Sequence, residues 1–207
     1  MPRLKIISKS QKFLDLQKNI QTIEKHLMPK IKISGSYTDR EKNLIRGYRL
    51  LVHAEIEYYF EAIAKEIVLS SQQKWVKTRK PSHILTALFA FTSNKNPDIP
   101  ETYDDKQHIF LEDRITNSVS TFMGYLNQNH GIKQKNLLKI LLPLGISITD
   151  IDPTWLMDMD TFGDDRGDVA HKSIKVQNSI DPYSEKKRVE RFLSEIQKID
   201  LLIMSLK

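Results

Sequence analysis

From Thr38 to about Thr78 the chain contains no proline and a single glycine, Gly47. Nothing in that stretch stops a helix once it has started, and the start is written in the sequence. Thr38 with Glu41 makes a capping-box pattern, in which each side chain satisfies a backbone N–H that the first turn would leave unpaired. The reading is one long helix whose apolar face is Leu44, Tyr48, Leu51, Tyr58 and Ala62.

The remaining segments follow the same period. Phe13, Leu16, Ile20, Ile23 and Leu27 predict a first helix over roughly residues 10 to 28, closed by Pro29, with a linker containing Gly35. Pro81-Ser82 starts a shorter apolar helix ending near Phe91, and residues 92–106 combine two prolines with polar turn formers and read as an exposed loop. A helix from about Gln107 to Asn127 is expected to close at Asn129-His130-Gly131, where glycine takes the left-handed cap. Leu137, Leu138, Ile140 and Leu141 belong to a further helix that reaches Pro143. Asp152-Pro153 and Asp181-Pro182 each place a capping aspartate before a proline suited to the first helical turn. The second opens a C-terminal helix with the stripe Val189, Phe192, Leu193, Ile196, Ile199, Leu202 and Ile203. With seven glycines, eight prolines and no alternating pattern, the chain reads as all-α.

At 207 residues and 40% hydrophobic content the chain can bury a core as one large domain or two small ones. It has no cysteine, which excludes disulfides, thiolate metal sites and cysteine nucleophiles and fits the cytosol. The basic N-terminus, Met1 to Ile7, lacks the apolar stretch of a secretion signal, and no run is long enough to span a bilayer, so a soluble cytoplasmic protein with no membrane partner is expected. The net charge of +6 mildly favours a polyanion. Its distribution is uneven. Lysines dominate residues 1–32 and 172–198, whereas residues 150–168 hold Asp150, Asp152, Asp158, Asp160, Asp164, Asp165 and Asp168 against the single Arg166.

Within that acidic run the pair with chemical meaning is Arg166 and His171, an Arg-x4-His spacing on a helical stretch. At 100° per residue the two side chains diverge by about 140°, so they do not share a face. A second copy of the helix, brought up by a dimer axis, would gather two arginines and two histidines into one cleft. The residue types suit RNA: an imidazole takes the proton of a 2′-hydroxyl near neutral pH, and a permanently charged guanidinium stabilises a pentacoordinate phosphorane. Asp168, three residues before His171, is placed to accept an imidazole N–H and set its tautomer. On spacing alone, a surface arginine and a helix-end histidine without a chemical task explain the pair better.

Other constellations are weaker. Arg46, Arg49, His53 and Glu57 fall at steps of three and four and form a polar stripe on the long helix, which either faces the motif or is an ordinary solvated face. Asp158 to Gly163 fails the calcium-loop pattern, since Phe162 and Val169 stand where oxygen ligands are needed; acids complementing a helix dipole and a solvated loop explain the run better. The remaining histidines lack zinc-ligand spacing, and no phosphate loop or nucleophile elbow is present, so neither metal nor cofactor is expected. His130 is assigned to a helix C-cap, and Trp75 and Trp155 to the core or an interface.

Three stretches, Arg46 to Glu61, Asn129 to Leu138 with Pro143 to Ile146, and Arg166 to His171, resemble in order and spacing the HEPN superfamily, nearest its branch associated with ribosomal L-PSP endoribonucleases. The resemblance covers roughly residues 38–205. It divides the chain into an N-terminal helix and linker, 1–37, packed on a HEPN-like bundle, 38–207. It implies a homodimer that builds the site and a metal-independent endoribonuclease, often a toxin or phage-defence component, with RNA as substrate and an antitoxin or operon-encoded protein as a further partner. Arg166 and His171 are then the catalytic pair, and Asp168, Glu57, Arg46 and His53 orient them. Family nucleases usually carry a polar residue directly after the motif arginine, where this chain has Gly167. A catalytically inactive module that binds RNA or a protein partner is the alternative.

Overall fold

The computed structural model describes residues 7–92, 110–173 and 179–207. Among these residues there are seven α-helices and no strand: α1 Gln11–Leu27, α2 Asp39–Thr78, α3 His83–Thr92, α4 Leu111–Asn127, α5 Gln134–Leu141, α6 Pro153–His171 and α7 Pro182–Ser205. Two single 3-10 turns, Leu142–Leu144 and Ile148–Asp150, join α5 to α6. The all-α reading is correct. The proposed loop at 92–106 lies outside the described residues apart from Thr92, which ends α3. No helix among the described residues is long and apolar enough to cross a membrane.

Helix α2 is the axis of the bundle. Its 40 residues give it a length of about 60 Å at 1.5 Å per residue, and it touches each of the other six helices. The capping box at Thr38 and Glu41 forms as expected. The buried stripe, however, is Ile45, Tyr48, Val52, Ile56, Tyr59, Phe60, Ile63 and Ile67. Leu51 and Tyr58, assigned to the core by their spacing, stand exposed. The reason is geometric: a helix packed on several sides carries apolar residues around most of its circumference, so a period count finds more than one face. At about 1.5–3 kcal/mol for each buried large apolar side chain, the stripe outweighs any single polar contact in the bundle.

Helix ends elsewhere follow their local chemistry. Asp152 accepts from Thr154 N–H and Asp181 from Ser184 N–H, each at 2.8 Å, ahead of Pro153 and Pro182. The expected cap at Gly131 is corrected. Helix α4 already ends at Asn127 with Gln128 as its cap, and Gly131, at φ +120°, belongs to the turn that follows.

One buried polar cluster ties α1, α2 and α7 together. The Asp200 carboxylate, fully buried on α7, accepts Ser10 N–H at 2.8 Å, the Ser10 hydroxyl at 2.5 Å and the Tyr59 hydroxyl at 2.8 Å. Ser10 at the same time caps α1 by accepting from Phe13 N–H. Burial and the adjacent carboxylate push the Tyr59 phenol well above its ordinary range, so it remains a donor at any physiological pH. Removing the carboxylate strands three buried donors, so Asp200→Ala is expected to cost roughly 3–5 kcal/mol and Tyr59→Phe roughly 1.5–3 kcal/mol in urea unfolding.

Candidate functional site at the end of helix α6

Helix α6 runs unbroken from Pro153 to His171, so Arg166 and His171 lie on its last turns and diverge as their spacing requires. Phe162, one turn before Arg166, is buried and stacks on His53 of α2, with ring centroids 6.1 Å apart and planes 26° apart. Arg166 is therefore turned toward α2, and its Nε is buried with no hydrogen-bond partner among the described residues. His171 is the last residue of the helix and is exposed.

The polar stripe on α2 divides into several functions. His53 is 3% exposed, and its Nδ1 also lacks a hydrogen bond. Burial, and secondarily the charge of Arg166, lower its pKa to about 4, so the ring is neutral at pH 7. Glu57 reaches the turn after α4: its Oε1 accepts Gly131 N–H at 2.5 Å, while Oε2 lies 3.6 Å from His53 Nδ1. One turn on, Glu61 accepts from Asn129 Nδ2 at 2.8 Å, and Asn136 donates to Asn129 Oδ1 at 2.9 Å. Burial raises the Glu61 pKa, partly offset by the Asn129 bond, with Glu57 adding to the rise. Arg49 makes a two-pronged pair with Glu185 of α7 at 2.6 and 2.7 Å. Among the described residues Arg46 reaches only Asn43, on its own helix. The structure thus brings His53 and Arg166 together and connects Glu57 to His53, while Arg46 stands apart.

Of the acidic run, Asp152 complements a helix start as expected from the sequence, but the aspartates from Asp158 onward lie within α6. The first turn of α6 holds no acid, and Asp158, Asp160, Asp164 and Asp165 engage other elements. Asp165 receives Arg188 at 2.6 Å and lies 3.6 Å from Arg49. Asp164 pairs with Lys133, and Asp160 accepts Gln134 N–H at 2.6 Å, supplying the start of α5 with a cap. Asp158 lies 3.8 Å from Arg191, and Asp168 holds Lys172 at 2.7 Å, where the sequence reading assigned it to His171. The Arg188 guanidinium also lies over Phe162, 5.1 Å from the ring centre. Apart from Lys172, four residues from Asp168, these partners are far apart in sequence, and no local signal announces them. Among the described residues no cluster of acids or histidines is arranged to hold a metal ion. A side chain at Gly167 would meet nothing within 4 Å, so the position next to Arg166 opens to free space.

His53 makes stability depend on pH. Its folded pKa near 4 lies below the ordinary 6.5, so the unfolded chain binds the proton first as pH falls, and the native state loses stability from about pH 6.5 down to 4. The contribution amounts to about 2 kcal/mol between pH 7 and pH 5. Urea unfolding at the two pH values is expected to show this loss in the native chain and a loss smaller by that amount in His53→Gln.

The RiboL-PSP-HEPN family matches the chain over residues 13–205. The match begins inside α1, so it takes in the helix that the sequence reading set apart from the bundle. Neither a curated protein nor a solved structure gives a significant match. With Arg166 and His171 on the last turns of α6 and the matched region covering all seven helices, the chain belongs to the RiboL-PSP-HEPN family.

Proposed function

We propose that this chain is a metal-independent endoribonuclease of the HEPN type. The observation that carries the reading is Arg166, a guanidinium whose buried Nε has no partner among the described residues, on a helix where Asp164, Asp165 and Asp168 are committed to other cations. A buried donor without a partner costs about 1–3 kcal/mol unless something accepts from it, and a phosphate oxygen is the acceptor a guanidinium binds best.

In the proposed reaction His171 takes the proton of a 2′-hydroxyl, and that oxygen attacks the adjacent phosphorus. The bond to the 5′-oxygen breaks, leaving a 2′,3′-cyclic phosphate on one fragment and, once the leaving oxygen is protonated, a 5′-hydroxyl on the other. Arg166 stabilises the charge that builds on the phosphorane. The two side chains diverge by about 140° and their Cα atoms are separated by about 7.5 Å along the axis. A cleft between two protomers is therefore the arrangement in which both reach one phosphate. Glu57 and His53 hold the inner side of Arg166's surroundings, and Asp168 braces the helix end through Lys172. In this reading the protein acts in the cytoplasm as a toxin or phage-defence component restrained by an antitoxin or operon partner.

Gly167 favours a second reading, in which the site binds RNA or a protein partner without cutting, because the polar residue usual at that position is missing. Cleavage of single-stranded RNA in EDTA separates the two. The expected result is cyclic phosphate ends, a 10²- to 10⁴-fold loss of rate in His171→Ala and a loss of about 10²-fold or more in Arg166→Ala, with a dimeric mass in solution. RNA binding with no cleavage by the native chain would select the second reading.

A further inference from the structure

We infer that the groove between α3, α4 and α5 is a subsite for a nucleobase of the RNA. This rests on the RNA reading above and adds to it a place for a base away from the cleaved phosphate. The groove has a volume near 510 Å³, within the range of small-ligand sites. Phe91 from α3 and Tyr125 from α4 stand in its walls with 57% and 52% of their surfaces exposed. Two rings left on the surface by different helices are platforms on which a base stacks.

The polar groups in the groove match a base edge. Among the described residues the Gln128 side chain makes no hydrogen bond, and Asn136 uses one amide hydrogen on Asn129 and keeps its side-chain carbonyl and second hydrogen. Between them they offer donors and acceptors of the kind a Watson–Crick edge requires. Charge points the same way. Among the described residues Lys139 is the one charged group lining this groove, whereas the groove on the other side of Asn129 sets Glu57, Glu61 and Glu66 against Lys12 and Lys65. The first is the more favourable of the two to a polyanion.

The groove is also joined to the proposed cleavage site. Its wall residue Asn129 is held by Glu61, and the next turn residue but one, Gly131, by Glu57, which neighbours His53 against α6. The turn that carries Asn129 is thus fixed to the same stretch of α2 that packs beside Arg166.

The test uses a single-stranded 2′-deoxy hexanucleotide carrying 2-aminopurine, which lacks the attacking hydroxyl and so reports binding apart from cleavage. The native chain is expected to quench its fluorescence. Phe91→Ala and Tyr125→Ala, both at exposed positions, are expected to weaken binding about tenfold and abolish the quenching; Tyr125→Phe and His171→Ala are expected to keep it. Unchanged affinity and quenching in both alanine variants overturns the subsite even if the native chain cuts RNA. Quenching that depends on Tyr125 in a chain that cuts no RNA keeps the subsite and removes the nuclease reading. No quenching, with a dimer or protein complex lost in Tyr125→Ala, overturns the subsite in favour of a protein-binding face.

Discussion

Five aspartates within the nineteen residues of α6 repel one another unless cations meet them. Two like charges about 6 Å apart cost about 3 kcal/mol at the effective dielectric of a protein surface. The chain meets this with Arg49 from α2, Lys133 ahead of α5, Arg188 and Arg191 from α7, and Lys172 beyond the helix itself. The position of α6 against its neighbours depends on these pairings. Because Asp165 and Asp168 on either side of Arg166 are taken by other cations, the motif arginine has no carboxylate partner among the described residues. The same charge compensation that fastens the helix leaves Arg166 able to receive an anion.

Apolar burial supplies the stability of the bundle, and the polar contacts decide how it is oriented. The inner stripe of α2, from Ile45 to Ile67, packs into one buried cluster that reaches from Phe13 on α1 to Ile203 on α7. Arg49 with Glu185 adds little net energy, since desolvating both ions offsets most of their attraction, yet two parallel hydrogen bonds admit one relative placement of α2 and α7. Asp200 acts similarly for α1, where its three accepted hydrogen bonds fix the N-terminal helix against the centre of the bundle.

The helix starts were legible because their chemistry is local. Thr38 with Glu41, Asp152 before Pro153 and Asp181 before Pro182 act within three residues, and each forms the cap that its spacing announces. The orientation of α2 was not legible. Leu51 and Tyr58 satisfy a helical period as well as Val52 and Tyr59 do, and only the neighbours on every side decide which set is buried. Gly131 was read as the end of α4 because a glycine after a polar run fits such an end. Its N–H instead belongs to Glu57, 74 residues earlier.

By itself the sequence determined the all-α class, the helix boundaries set by caps and prolines, the family, and the divergence of Arg166 from His171, because each depends on residues within a few positions or on the order of motifs along the chain. Tertiary structure alone decided that His53 is buried and neutral beside Arg166, that the aspartates of α6 are paired, and that Glu57 and Glu61 hold the turn at residues 129–131. Those facts rest on partners such as Arg49 and Glu185, 136 residues apart, and no local spacing specifies which distant side chain will arrive.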